Sequence, residues 1–355
     1  MNAVNQNNIA ALKELADRVY KRESSPDPGL FSELLADVNN ILNTELPAYR
    51  PLDSKKHPGG IINLAAERDT VIIPDIHARL DFLLSLIKAD FNNRNGLLES
   101  IAADQTQLLF LGDIFHAEAR AKKRWLAAGR EAAAGFTVHR HADIEMAESL
   151  SAYELVLGLK RVFPDKVHIL KGNHENIKNS SRGGNFPFTK FTRESAITTA
   201  WVKKFYGEEI IGAMARVETG LPVLAVGINF MASHAQPRYF LDRKMVLNYR
   251  YNEQVTEYLT WTANGDAAEG SVSRMLSHYL PCRELEKTFY FAGHRVVKGL
   301  YQTRSAGRFV QIHNPAAFVI AFLCSGNAIK LDRDIMFLPD KSSTTDNSPL
   351  HFTRT

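Results

Sequence analysis

The chain has 355 residues, 45% of them hydrophobic and 23% charged, a globular balance with enough apolar material for a sizeable core, which excludes wholesale disorder. A net charge of +4 suits an anionic substrate but lacks the dense basic clustering of a nucleic-acid surface, so specific nucleic-acid binding is not expected. The N-terminus lacks the basic and apolar regions of a secretion signal, no uncharged apolar run approaches a membrane span, and Cys282 and Cys324 have no neighbour at metal or redox spacing, so a cytoplasmic protein with ordinary core thiols is expected.

Residues 8 to 22 place Ile9, Leu12, Leu15, Ala16 and Val19 at helical spacing, and 30 to 43 repeat the pattern after Pro26 and Pro28. Two helices that pack in cis are expected, forming an N-terminal helical extension over 1–58 ahead of one catalytic domain at 59–338 and a polar tail at 339–355. From Ile61 the texture changes to short apolar runs at 62–64, 70–73, 107–111, 166–170, 222–232, 288–292, 308–312 and 318–323. Helical patterns fill 80–90, 143–162, 193–206 and 271–280. Strand alternating with helix predicts a layered α/β fold, the later, helix-poor strands making a second, mixed sheet. The stretch 119–137 is a basic, Ala-rich helical insertion, extending to about 140. It reads either as a solvated excursion or as a lid carrying Arg120, Lys122, Lys123 or Arg124 to a phosphate.

Ligands in such folds gather beyond the carboxyl ends of strands, and there the chain places P-D-I-H (74–77), L-G-D-I-F-H (111–116), K-G-N-H-E (171–175), S-H-A (233–235) and A-G-H-R (292–295). Asp75 and His77 are two apart and leave an extended segment on the same side, able to share one ion. Gly112 gives the backbone room at a strand end, and the two oxygens of Asp113 can bridge two ions. The Asn173 amide oxygen suits a hard ion, while the neighbouring His174 imidazole is free to act as an acid. Taken singly, D-x-H is common, a Gly-Asp is usually a turn, and His234 or His294 after an apolar strand is more often a core histidine. Five such groups at strand ends of one chain are hard to obtain by chance.

With these motifs the chain resembles the calcineurin-like metallophosphoesterases, and within them the phosphoprotein phosphatase branch that includes the symmetrical diadenosine tetraphosphate hydrolases. The resemblance runs from about residue 60 to about 325. It implies a β-sandwich flanked by helices, with the metals at one sandwich edge. It further implies ligands Asp75, His77 and bridging Asp113 for a first metal, ligands Asp113, Asn173, His234 and His294 for a second, and His174 as general acid. Val296 stands where wider members of the superfamily place a second histidine after Gly-His, which favours the phosphatase branch and disfavours a nuclease. The mixed imidazole, carboxylate and amide set suits manganese, iron or zinc, manganese or iron foremost.

The family's G-D-x-x-D-R-G is broken: His116 and Ala117 replace the Asp that orients the acid and the Arg that grips phosphate. Candidates to orient His174 are His116, Glu118 and Asp143. Asn173 and Arg295, the latter beside His294, are candidates to hold phosphate, with Arg140, Arg182, Arg193 and Arg250 as weaker alternatives. The insertion begins where the Asp-Arg-Gly would stand and is expected to rebuild the phosphate wall. Pro74 and Ala78 occupy positions where the family has glycines. The expected function is hydrolysis of a phosphate ester by metal-activated water, phosphoserine or phosphothreonine in a protein being the leading substrate. A dinucleoside polyphosphate or other nucleotide is the alternative, and a metal-binding pseudo-phosphatase the reading from another class.

Overall fold

The apolar runs become strands in the computed structural model, which describes residues 3–22, 24–91, 96–281, 285–338 and 350–352. In chain order the strands, of which β3, β9, β12 and β13 lie outside those runs, are β1 (Ile61–Asn63), β2 (Asp69–Ile73), β3 (Ala89–Phe91), β4 (Thr106–Phe110), β5 (Val167–Ile169), β6 (Leu224–Val226), β7 (Phe230–Ala232), β8 (Phe289–Ala292), β9 (Gln302–Arg304), β10 (Phe309–Gln311), β11 (Phe318–Leu323), β12 (Ile335–Leu338) and β13 (Leu350–Phe352). Helices α1 (Ala3–Lys21) and α2 (Pro28–Thr44) precede them. Between β2 and β6 lie α3 (Leu80–Ile87), α4 (Leu97–Ala102), α5 (Lys122–Ala133), α6 (Arg140–Val162), α7 (Glu194–Phe205) and α8 (Glu208–Gly220). Among the described residues, no helix is long and apolar enough to cross a membrane.

One sheet has the order β12-β11-β2-β4-β5 and the other β1-β6-β7-β8-β10-β9. In the first, β2, β4 and β5 run parallel; in the second, β7, β8 and β10 do. The period-two alternation of strand side chains builds the layers. Ile72 and Leu109 face between the sheets with Ala225, Ala232, Phe291 and Val310, whereas Val71, Ile73, Leu108 and Phe110 turn to the helices on the outer face. On the opposite outer face, Met231, Tyr290 and Phe309 pack against the helices Glu253–Thr260 and Ser271–Tyr279. The result is a helix–sheet–sheet–helix sandwich. Because each central strand is buried on both faces, these runs read as continuously apolar.

The structure departs from the sequence expectation in identifiable places. The run 222–232 is two antiparallel strands rather than one, broken at Gly227. The second sheet is not simply the later strands: it takes in β1, parallel to β6, and gives up β11, which returns antiparallel to β2 in the first. Part of the expected polar tail, Leu350–Phe352, pairs with β3, a strand that begins where a helix was expected to run on. Cys324 is half-buried against the main core. Cys282 lies outside the described residues.

The two leading helices pack in cis. Asp27 caps α2 by accepting the Leu30 N–H at 3.0 Å, with Pro28 preset in the first turn. Leu12, Leu15, Phe31, Leu35 and Val38 then enter the same core as β2 and β4. Just beyond α2, buried Glu45 accepts from Arg50 and, at 2.6 Å, from Lys160 of α6. Arg50 also donates to the carbonyl of Gly220 at 2.8 Å. The insertion is not a solvated excursion: Trp125 of α5 is fully buried and donates its indole N–H to the Ala117 carbonyl at 2.8 Å.

Candidate metal centre

The site forms where the parallel strands of both sheets point their carboxyl ends at one edge. Asp75 follows β2, Asp113 follows β4, and Asn173 and His174 follow β5, while His234 and His294 follow β7 and β8 from the facing sheet. All are buried or nearly so. The backbone turns sharply to bring them in: His77, Ala78, Asp113, His116 and His294 all have positive φ, a conformation that costs a non-glycine residue free energy and that clusters at functional sites. Ala78, at φ 59°, adopts the left-handed conformation without the freedom a glycine would have there.

Two sheets are stitched across this edge. The backbone N–H of His294 donates to Asp75 Oδ2 at 2.9 Å, and Gly293 passes so close to Asp75 Oδ1 that any Cβ would overlap it. Glu175 sits in a nest of backbone donors, accepting from Gly172 at 2.7 Å and from Asp113 and Ile114 at 3.0 Å each. It thereby fixes the two loops that carry Asp113 and Asn173.

The potential ligand atoms form a continuous chain. His77 Nε2 is 3.7 Å from Asp75 Oδ2 and 3.8 Å from Asp113 Oδ2. Asp113 Oδ2 is 3.3 Å from His234 Nε2, which is 2.8 Å from Asn173 Oδ1, itself 3.0 Å from His294 Nδ1. One point differs from expectation. Asp113 does not turn one oxygen to each cluster: Oδ2 faces both, while Oδ1 accepts the His174 backbone N–H at 2.9 Å.

The donor set fits divalent cations. His77 Nδ1 meets only carbonyl oxygens, Phe115 at 3.2 Å and His116 at 3.0 Å, so it carries the proton and Nε2 is left as a lone pair. His234 Nδ1 likewise donates to the Leu111 carbonyl at 3.0 Å, turning Nε2 toward the oxygens of Asp113 and Asn173. A lone pair facing oxygen acceptors at this range calls for a cation between them, a proton or a metal ion. Burial opposes charge on His234, yet the Asp113 carboxylate raises the ring to about 9. Burial likewise opposes ionisation of Asp113, but His174, His234 and His77 hold its carboxyl well below the usual range. The cluster thus attracts positive charge strongly, and oxygen and imidazole donors without thiolate match manganese, iron or zinc.

His174 lies beside this cluster, with Nε2 3.7 Å from Asp113 Oδ2 and its ring against Phe188. Of the candidates to orient it, His116 makes the contact, Nδ1 to Nδ1 at 3.1 Å, and its far nitrogen meets Thr198 Oγ1 at 3.0 Å. Glu118 and Asp143 do not. Asp143 binds His139 and the Trp201 indole away from the site. Glu118 faces His77, His313 and Lys190 instead. Burial pushes the His174 ring well below its usual value against the pull of Asp113, and burial with His77 lowers His116 to about 3.

The expected phosphate contacts are arranged unevenly. Asn173 is central. Arg295 is exposed next to His294, with no side-chain hydrogen bond or ion pair among the described residues. Arg140, Arg182 and Arg193 are also exposed, whereas Arg250 is committed to the Pro58 and Thr219 carbonyls. From the insertion, Arg124 is held by Glu145 and Glu148, while Arg120, paired with Glu148, lines with Glu118 a cavity of about 220 Å³ beside His77.

His313, not singled out in the sequence, also borders that cavity. Its signal was present: R-F-V-Q-I-H repeats the pattern of an apolar strand running into histidine, but like S-H-A it has no Gly or Asp beside the histidine to mark it.

This arrangement is the metallophosphoesterase fold, a double-sheet sandwich with buried Asp and His clusters at one edge. A protein serine/threonine phosphatase from Saccharomyces cerevisiae with similarity to human phosphatase PP5 superposes with a TM-score of 0.54 at 12% identity, covering 88% of this chain and 89% of that one. A cold-active protein-tyrosine phosphatase of a psychrophilic Shewanella species aligns with a TM-score of 0.43 at 14% identity over 78% of this chain and 82% of that one. A putative diadenosine tetraphosphatase aligns with a TM-score of 0.40 at 15% identity over 79% and 98%. No family model and no curated protein matches the sequence.

Proposed function

We propose that the protein is a metal-dependent phosphoesterase that hydrolyses phosphate esters, with protein phosphoserine or phosphothreonine as the leading substrate class. The observation that carries this reading is Asp113 Oδ2, which stands between two clusters of free imidazole and carboxylate ligands, 3.8 Å from His77 and 3.3 Å from His234. Asp75, His77 and Asp113 would hold one divalent ion, and Asp113, Asn173, His234 and His294 the other. When bound, such a pair supplies Lewis acidity to the phosphoryl group and makes water a competent nucleophile near neutral pH.

The chain's own residues do the rest. Asn173 and Arg295 orient the phosphoryl oxygens, Arg295 as a planar donor that makes no side-chain hydrogen bond or ion pair among the described residues. His174 delivers a proton from Nε2 to the leaving oxygen, a contribution of roughly 10²–10⁴-fold when well placed. As the acid, His174 carries both ring protons: its Nδ1–H donates to His116 Nδ1, whose own proton lies on Nε2 toward Thr198 Oγ1, and the Nε2 proton of His174 is the one transferred. A neutral imidazole supports the charged form of His174 less well than a carboxylate would. This favours leaving groups that need little protonation and supports a second reading, cleavage of a nucleotide phosphoanhydride such as a dinucleoside polyphosphate.

Turnover of phosphopeptides, diadenosine tetraphosphate and p-nitrophenyl phosphate with added manganese, iron or zinc separates these readings and distinguishes both from a metal-binding pseudo-phosphatase. Asp113→Asn is expected to lose metal and hydrolysis together. A fully active, metal-loaded Asp113→Asn protein would refute the role given to that carboxylate.

A further inference from the structure

We propose that His313 is a ligand of the first metal, through Nδ1, and that Glu118 is its positioning residue. The inference rests on the two-metal reading of the site and adds to it a protein ligand from a strand that the motifs do not include.

Strand register makes the first argument. β7, β8 and β10 are adjacent and parallel, and each is followed, two residues past its end, by a histidine: His234, His294 and His313. The same geometry that delivers His234 and His294 to the site therefore delivers His313 to it, one strand further along the sheet. There it meets the Asp75 and His77 side of the cluster. Its ring lies 5.4 Å from that of His77, and its Nδ1 is 3.8 Å from Asp75 Oδ2. Two ligand atoms each about 2.1 Å from one ion stand roughly 3–4 Å apart, so this spacing is that of co-ligands.

The hydrogen bonds make the second argument. His313 is fully buried, and its Nδ1 has no hydrogen-bond partner among the described residues, an expensive state for a buried polar atom. Its other nitrogen, Nε2, lies 3.2 Å from Glu118 Oε2. A carboxylate can only accept, so the ring proton sits on Nε2 and Nδ1 presents a lone pair toward Asp75. A histidine held by a carboxylate on one nitrogen and free on the other is the usual arrangement behind a bound metal. The loop is also anchored: Arg79 donates to the carbonyl of Asp75 at 2.8 Å and to that of Asn314 at 3.0 Å, fixing the two ligand loops relative to each other. Glu118 thereby finds a role. The segment that lost the family's Asp and Arg supplies a carboxylate that orients a metal ligand rather than a cation that grips phosphate.

The test is titration of the metal-free full-length protein with Mn²⁺ by calorimetry and with Co²⁺ by visible absorption, comparing wild type, His313→Ala and Glu118→Gln. The expectation is two sites in wild type, with affinity at one of them reduced at least roughly 10–100-fold in His313→Ala, a smaller loss at the same site in Glu118→Gln, and an altered cobalt spectrum in both. Unchanged affinities and spectrum in folded variants would overturn the inference, assigning His313 a packing role that lowers only the melting temperature of the metal-free protein. If His313→Ala does not fold, Glu118→Gln decides by the same criterion. A wild-type protein that binds fewer than two ions would overturn the two-metal reading itself, whereas two tight sites without hydrolysis would leave this inference standing and remove only the enzymatic one.

Discussion

At the scale of single residues, the site is defined by which nitrogen of each histidine is already spoken for. His77 and His234 spend Nδ1 on carbonyl oxygens, so the Nε2 atoms they turn toward Asp113 are fixed by the backbone rather than by chance rotamers. The proton that Asp113 stabilises on His234, with the ring raised to about 9, must leave before a metal can bind there. Below that value, metal binding is expected to release a proton, and affinity is expected to rise with pH until the ring is neutral near 9. Calorimetry in buffers of different ionisation enthalpy measures the release, and binding with no proton change at pH 7 would contradict the assignment.

His116 gives the second prediction at this scale. His116→Asp restores a carboxylate behind His174 and stabilises its charged form, which raises its pKa. The acidic form then persists to higher pH, so the limb of the pH–rate profile that reports it is expected to move upward. Turnover of alkyl phosphates is expected to gain more than that of p-nitrophenyl phosphate. A profile identical to wild type would show that His116 does not act through His174.

Among the elements, α5 is the one whose role changes most between sequence and structure. Its basic, Ala-rich composition resembles a solvated arm, because Arg120 just before it and Lys122, Lys123 and Arg124 in its first turn set its character. Trp125 outweighs them: it is buried under the His116 loop, 5.7 Å from the His116 ring, and holds the Ala117 carbonyl. Trp125→Ala is expected to cost about 3–5 kcal/mol in chemical denaturation and to lower turnover by loosening the His116–His174 contact. A loss under about 1 kcal/mol would mean that the helix is peripheral after all. The Glu45, Arg50 and Lys160 cluster works in the same way on the N-terminal side. Each group is buried, so Glu45→Ala would leave two cations unpaired and is expected to cost about 3–5 kcal/mol by the same measurement.

For the molecule as a whole, two parallel strand sets from facing sheets converge on one edge, and this convergence explains what the sequence could and could not reveal. The gathering of Asp75, Asp113 and Asn173 at this edge was legible because each follows a buried strand and stands in a short motif. That of His313 was not, since a lone histidine after an apolar run has the same local chemistry as a core residue, and only the register of β10 beside β8 carries it to Asp75. β9, Q-T-R, has no apolar residue to show a period-two pattern and β12, I-M-F-L, is a short run with no alternation, so their pairing is decided by tertiary neighbours. The assignment of β11 to the first sheet is likewise a tertiary fact.

The measurement that bears most directly on the whole account is electron paramagnetic resonance of the metal-free protein loaded stepwise with Mn²⁺. Ions sharing Asp113 are predicted to give, at two equivalents, an exchange-coupled multiline spectrum that disappears in Asp113→Asn. Two equivalents bound with only the six-line signal of isolated manganese would contradict a bridged pair of metals at this strand edge.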